Sequence, residues 1–301
     1  MLSADHVEQL GPSALAVAEE PLTAVYVGND PEELIQFEQW LGRPSEGVVL
    51  HTGHADSRDW IGSIEWLADR WHPVERPQFW SIPLIPEDID LSDAAAGRFN
   101  DSYREAAKIL ADRTEGAQIF VRTGWEFNID AHHWSAIGRE HDYVEAYRNF
   151  VRSFREVSDR FVFEWCPNFD DDGMNPEDAY PGDDFVDIIG LDFYYFPQWF
   201  DPDPIVAWQE MLDAKYGLKW HQAFAAARGK PTAYPEWGVT LDTAAPYVDA
   251  AASWFRQNPV IYHGYWNSNA AFVGRISDDR IPEVGEAYRR AFGRPETEDD
   301  S

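Results

Sequence analysis

The chain is 301 residues long, 44% hydrophobic and 15% aromatic, with 14 tryptophans, which suits one large globular domain and excludes a disordered or fibrous polypeptide. Its 54 acidic against 24 basic residues give a formal net charge of −30, so neither nucleic acid nor an anionic membrane surface is expected as a partner. Solubility accounts for most of that charge, and a neutral substrate fits it well.

No stretch rich in Gly, Ser or Pro separates two units, so one domain with loose ends is expected: an extension at 1–22, a body at 23–293 and an acidic tail at 294–301. A monomer is expected. Cys166 is the only cysteine, which excludes an internal disulfide and a cysteine-based zinc site. The N-terminus lacks a basic start and has only a short apolar run, so it reads as neither a signal peptide nor a membrane anchor. The protein is accordingly expected to be cytoplasmic, or else secreted or periplasmic if a leader was removed.

Apolar strand-like runs alternate with helix-period segments in chain order. Strands are expected at 23–29, 47–53, 78–85, 118–126, 161–168, 186–195, 231–237 and 260–268, each nearly continuous in apolar residues, as buried parallel strands are. Helices are expected at 31–41, 58–70, 97–113, 142–157, 204–228, 246–257 and 280–292. The clearest is the one from Asp142 to Val157, where Tyr143, Tyr147, Phe150, Phe154 and Val157 make a single apolar stripe. Residues 169–185 hold too much Asp, Gly and Pro for a long helix.

Eight strands with intervening helices imply an α/β fold, a (β/α)8 TIM barrel in a single domain, with its active site at the C-terminal ends of the strands. An open doubly wound sheet is the rival topology. No GxGxxG or phosphate-loop glycine pattern supports it, and no cofactor is expected. In 168–179, Asn168, Asp170, Asp172 and Gly173 match the first, third, fifth and sixth places of a calcium loop. Ala179 occupies the twelfth place instead of glutamate, so this segment is read as a solvated acidic loop and no metal is expected.

Two glutamates stand out on this frame. Glu126 ends the fourth expected strand in RTGWEFN (122–128), and Glu236 ends the seventh in PTAYPEWGV (231–239). Glycosidic hydrolysis needs two carboxyl groups flanking the bond, and a barrel brings these two to one rim. Each has a tryptophan beside it, Trp125 and Trp237, able to exclude water or stack on a pyranose. Period two gives Arg122 the parity of Glu126, so both are expected to point inward, with Arg122 donating to Glu236. Glu164 is taken as outward relative to Trp165.

These motifs together resemble the retaining glycoside hydrolases of clan A, and in detail family 26, the β-mannanase type. The resemblance rests on Arg122, Glu126, Phe127 and Asn128, on YPGDDFVDIIGLDFYY (180–195), on PTAYPEWGV and on GYWNSN (264–269), and it spans roughly 23–293. It implies that Glu126 is the acid/base, with a raised pKa, and that Glu236 is the nucleophile, kept ionised by hydrogen bonds. Tyr194 resembles the sixth-strand tyrosine that bonds the nucleophile, and Asp192 shares its parity. Asn128 is expected to orient the acid/base loop or to bind a sugar hydroxyl. Trp266 is the expected sugar platform, with Trp80, Trp134 and Trp165 as further candidates, and His51 and His54 are expected to contact a sugar at the cleavage point. Trp125 stands where the family usually has histidine. The resemblance implies a retaining, endo-acting hydrolase of a β-linked polysaccharide such as mannan. A mixed-linkage glucan, a xylan or a bacterial exopolysaccharide is the alternative substrate, and a non-catalytic carbohydrate-binding barrel the alternative class.

Overall fold

A computed structural model describes residues 20–169 and 173–293. The expected extension lies outside the described residues apart from 20–22, the expected tail 294–301 lies outside them entirely, and so do residues 170–172 of the acidic loop. No helix among the described residues is long and apolar enough to cross a membrane.

Strands β1 (Leu22–Tyr26), β2 (Gly47–His51), β3 (Gln78–Ile82), β4 (Ile119–Thr123) and β5 (Phe161–Trp165) pair in parallel, each with the next. The sixth expected strand is broken into β6 (Ile188–Gly190) and β7 (Phe193–Tyr195), followed by β8 (Thr232–Val239) and β9 (Val260–Trp266). Because β9 pairs with β1, β6 pairs with both β5 and β8, and β7 pairs with β8, the sheet closes into an eight-position parallel barrel.

Around it lie α1 (Pro31–Leu41), α2 (Ser57–Trp71), α3 (Leu91–Ala95), α4 (Asn100–Arg113), α5 (Glu140–Arg155), α6 (Pro204–Asp213), α7 (Leu218–Ala226), α8 (Ala245–Gln257) and α9 (Pro282–Phe292). Part of the acidic surplus does capping work. The carboxylates of Asp30, Asp56 and Asp203 accept backbone N–H groups at the starts of α1, α2 and α6.

The expected stripe on α5 buries Tyr143, Tyr147, Phe150 and Phe154, whereas Val157 lies beyond the helix end and is 37% exposed. The single helix expected over 204–228 is two helices. A turn at Gly217 separates them, where an added Cβ would stand 2.1 Å from the Met211 carbonyl oxygen, so only glycine fits.

Burial forms two layers. A large core fills the space between barrel and helices, and a smaller one fills the barrel's lower interior, where Phe79 stacks on Tyr262 at 3.6 Å among Val49, Val162 and Ile188. One layer nearer the strand C-termini, Ser81, Arg122, Glu164 and Asp192 replace the apolar filling.

Glu164 therefore points inward, not outward as expected. It sits in register with Arg122, and its Oε2 accepts the Tyr262 hydroxyl at 2.6 Å. Trp165 takes the opposite side and packs beneath the helices against Phe127, Tyr180 and Phe224.

Candidate active site

Strand β4 ends at Thr123, three residues before Glu126, so the glutamate is placed by the loop and not by strand parity. Gly124 and Glu126 both adopt left-handed backbone, at φ 57 and φ 52. Such a conformation is uncommon for a side chain larger than glycine and is retained where surrounding contacts enforce it. Here the Glu126 N–H donates to the Cys166 carbonyl at 2.9 Å, and the Tyr143 hydroxyl donates to the Gly124 carbonyl at 2.8 Å.

Both Glu126 oxygens are engaged. Oε1 accepts Asn168 Nδ2 at 2.6 Å, and Oε2 lies 3.2 Å from His132 Nε2. Asn128 fixes this arrangement from beneath: its amide nitrogen donates to the Asn168 carbonyl at 2.9 Å and its Oδ1 accepts the Asn168 N–H at 2.8 Å. Asn128 thus ties the segment after Glu126 to the segment that carries Asn168. His132 in turn stacks on Trp134, with ring centroids 4.5 Å apart and planes 10° apart.

Glu236 comes from β8, which runs three residues past it to Val239. Register shifts between Thr232 and Tyr234 and between Tyr234 and Trp237 interrupt the pairing of β8 with β9, and irregularities of this kind re-aim a side chain. Glu236 joins the rim network while Trp237 packs outward against Phe255 and Tyr265.

Arg122 donates to Glu236 Oε1 through Nη2, and through Nη1 to both oxygens of Asp192 at 2.8 and 2.6 Å. Ser81 Oγ receives two further guanidinium contacts, at 3.1 and 2.8 Å. Asp192 also accepts the Glu236 backbone N–H at 3.1 Å, and the Tyr194 hydroxyl donates to Glu236 Oε2 at 2.9 Å.

Burial alone pushes the Glu236 carboxyl up, but the Arg122 guanidinium beside it, helped by Tyr194, holds it below the usual carboxylate range. His51 approaches Glu236 to 3.5 Å, and burial drives its pKa down to about 4, so it is neutral near pH 7.

His51 is also the hub of the aromatic lining. Its ring meets Tyr26, Trp125 and Trp266 edge-on at 4.9, 5.5 and 5.6 Å. Trp266, half-buried, stacks on Tyr26 at 4.2 Å, and the Arg122 guanidinium lies 5.1 Å over the Trp125 ring. Neither His51 Nε2 nor Trp266 Nε1 has a hydrogen-bond partner among the described residues.

Other expected contacts are corrected. Trp80, Trp165 and Trp237 are wholly buried in the outer core, where no ring face can reach a sugar. Trp134 is also wholly buried, with Nε1 donating to the Trp125 carbonyl at 2.8 Å, so it supports Trp125 and His132 from behind. His54, partly exposed, faces Trp134 and Glu87, at 5.6 and 3.4 Å.

His132 and Asn168, the direct partners of Glu126, were not among the expected residues. Asn168 does share the even parity of the inward Glu164 on the fifth strand. No group of three or more potential metal-ligating side chains occurs among the described residues.

A parallel barrel carrying two engaged glutamates and an aromatic lining on its C-terminal rim has the architecture of the barrel glycoside hydrolases. The chain belongs to glycosyl hydrolase family 26, whose profile matches residues 93–269. A mannan endo-1,4-beta-mannosidase of Bifidobacterium adolescentis is 26% identical over 208 residues, covering 66% of this chain and 20% of that protein. The chain thus spans about a fifth of the length of that relative.

Among solved structures, an endo-beta-1,4-mannanase double mutant of Cellulomonas fimi superimposes with a TM-score of 0.66 at 17% identity, covering 92% of this chain and 74% of that one. A Bacillus subtilis mannanase gives 0.62 at 15% identity, with 91% and 86% covered. At such identities these structures bear on the fold.

Proposed function

We propose that the chain is a retaining, endo-acting hydrolase of a neutral β-linked polysaccharide of the mannan type. The observation that carries this reading is the unequal setting of the two glutamates: Glu236 is held ionised between Arg122 and Tyr194, while Glu126 is clamped by Asn168 and His132 on a separately built loop. Pairs of carboxyls given different environments are how acid and nucleophile roles are divided.

In the first step a Glu236 oxygen bonds to the anomeric carbon as the glycosidic C–O bond breaks, and the Glu126 proton passes to the departing oxygen. In the second, Glu126 takes a proton from water, whose oxygen displaces Glu236 from the anomeric carbon. His132 suits both states of Glu126. With its proton on Nδ1 the imidazole accepts from the acid through Nε2, and with the proton on Nε2 it donates to the carboxylate.

Trp125 favours a second substrate within the same chemistry. It lies beside Arg122 and His51, next to the acid/base in sequence, and puts a largely buried indole where histidine is usual for the family. A mixed-linkage glucan, a xylan or a bacterial exopolysaccharide is then the alternative.

A panel of β-linked polysaccharides tests both readings, with the first-formed product anomer read by NMR. Retention on mannan supports the proposal, cleavage of another glycan moves the substrate assignment, and inversion overturns the mechanism, since inverting carboxyls stand roughly 6.5–9.5 Å apart and retaining ones about 5–5.5 Å. Glu236→Ala should abolish turnover in a folded protein. Glycan binding without turnover by the wild type would indicate a non-catalytic barrel.

A further inference from the structure

Beyond the carboxylates, the rim carries an aromatic surface that the chemistry does not use. Trp199 is 64% exposed and Val273 43% exposed, on the loops that follow β7 and β9. Phe196 meets Trp199 at 4.6 Å and Phe272 at 4.9 Å, and Phe272 meets Tyr194 at 5.1 Å and Trp266 at 6.4 Å. An aromatic path therefore runs outward from Tyr194, whose hydroxyl bonds Glu236, to the exposed indole.

Both loops are braced. Trp199 and Phe200 donate their N–H groups to the Phe196 carbonyl at 3.0 and 3.2 Å, and the Tyr195 hydroxyl donates to the Asp201 carbonyl at 2.9 Å. In the other loop Asn269 Oδ1 accepts the N–H groups of Gly274 and Arg275, both at 3.2 Å. An ordered loop that keeps a tryptophan in water forgoes the burial its size would give, and exposed apolar patches of this kind mark binding surfaces.

The geometry points to an outer sugar-binding subsite formed by Trp199 with Phe196 and Phe272, which stacks a pyranose of the glycan chain held at Glu126 and Glu236. The inference rests on the hydrolase reading. A neutral glycan is favoured because the patch continues the catalytic rim, because aromatic faces match the apolar faces of pyranoses, and because a chain of net charge −30 resists anionic partners.

Trp199→Ala is the decisive variant, since Trp199 touches neither carboxylate, and Trp199→Phe keeps a stacking face; unchanged circular dichroism and Tm certify folding. On the polysaccharide that the wild type cleaves, Trp199→Ala should raise KM about tenfold with kcat little changed, and Trp199→Phe should fall between. On the shortest oligosaccharide cleaved, too short to extend from the carboxylates to Trp199, both variants should match the wild type.

Equal loss on long and short substrates, or no loss on either, overturns the subsite. So does a wild-type dimer that Trp199→Ala converts to a monomer, because the patch then belongs to a second copy. If the wild type cleaves no polysaccharide, the hydrolase reading fails on its own account, and the subsite is read by retardation in native gels loaded with galactomannan, β-glucan or xylan. Retardation of the wild type but not of Trp199→Ala supports it. Equal migration in every gel overturns it.

Discussion

Arg122 is the residue on which the site's charge balance turns. Two buried carboxylates, Asp192 and Glu236, share its single guanidinium, and the fork geometry that lets it reach both is not available to lysine. Arg122→Ala should therefore cost roughly 3–5 kcal/mol of stability, measured by denaturant unfolding, because it leaves buried charge unpaired. The Tyr194 hydroxyl donates to Glu236. Tyr194→Phe removes one donor to the carboxylate, so the folded-state pKa of Glu236 moves up from its depressed position toward the ordinary range. The acid limb of kcat/KM should then shift to higher pH, and an unmoved limb would show that Tyr194 does not tune the nucleophile. On the other carboxyl, His132→Phe keeps a ring against Trp134 but removes the nitrogen facing Glu126. Activity should fall about 10–100-fold, the worth of a hydrogen bond to a charged group, with Tm little changed; full activity would reduce His132 to packing.

At the level of elements, the break between β6 and β7 is what admits the polar layer into the barrel. An added Cβ on Gly190 would stand 2.2 Å from Glu164 Oε1, so glycine at the end of β6 makes room for that carboxyl. Burial pushes Glu164 up to about 7, against the opposing influence of Arg122. Its folded pKa thus lies above its unfolded value near 4.5, so its favourable contribution is complete below about pH 4.5 and disappears as pH rises through about 7. Glu164→Gln, which still accepts from Tyr262, should flatten the Tm profile between pH 5 and 8 and raise Tm most at the alkaline end; a variant that tracks the wild type at every pH would rule this out. Much of this architecture is legible in the sequence because parallel barrel strands are continuous apolar runs. Those same runs hide which face each residue takes. Trp80, Trp165 and Trp237 read as sugar platforms because strands buried on both sides carry large aromatics outward as readily as inward. Alternation puts Glu164 outward if Trp165 faces inward, and nothing in so apolar a run decides between the two phases. Loop geometry is the other gap. Glu126 reaches its place through left-handed backbone at Gly124 and Glu126, and its partner His132 comes from the same irregular loop, which no strand periodicity orders, while Asn168 follows the fifth strand with only its parity to Glu164 as a signal.

Over the whole molecule, 54 acidic side chains against 24 basic ones leave a surface that repels itself, while the site depends on ion pairs sealed inside the barrel mouth. Salt separates the two. The Debye length falls from about 10 Å at 0.1 M to about 3 Å at 1 M, so exposed carboxylates are screened from one another, whereas Arg122, 2% exposed beside Asp192 at 0%, is shielded from ions. Surface pairs such as Lys108 with Asp112 weaken under the same conditions, but pairs of this kind contribute only about 0–1 kcal/mol each. Raising NaCl from about 0.1 to 1 M should therefore raise Tm by several degrees while kcat on a neutral polysaccharide stays nearly constant. Sodium chloride is the appropriate salt because sulfate would also strengthen apolar burial and confuse the two effects. A Tm that falls with salt would mean that the surface pairs outweigh the repulsion. A kcat that falls in step with salt at constant Tm would mean that ions reach the carboxylate network, and that the pocket is more open than the burial of Arg122 implies.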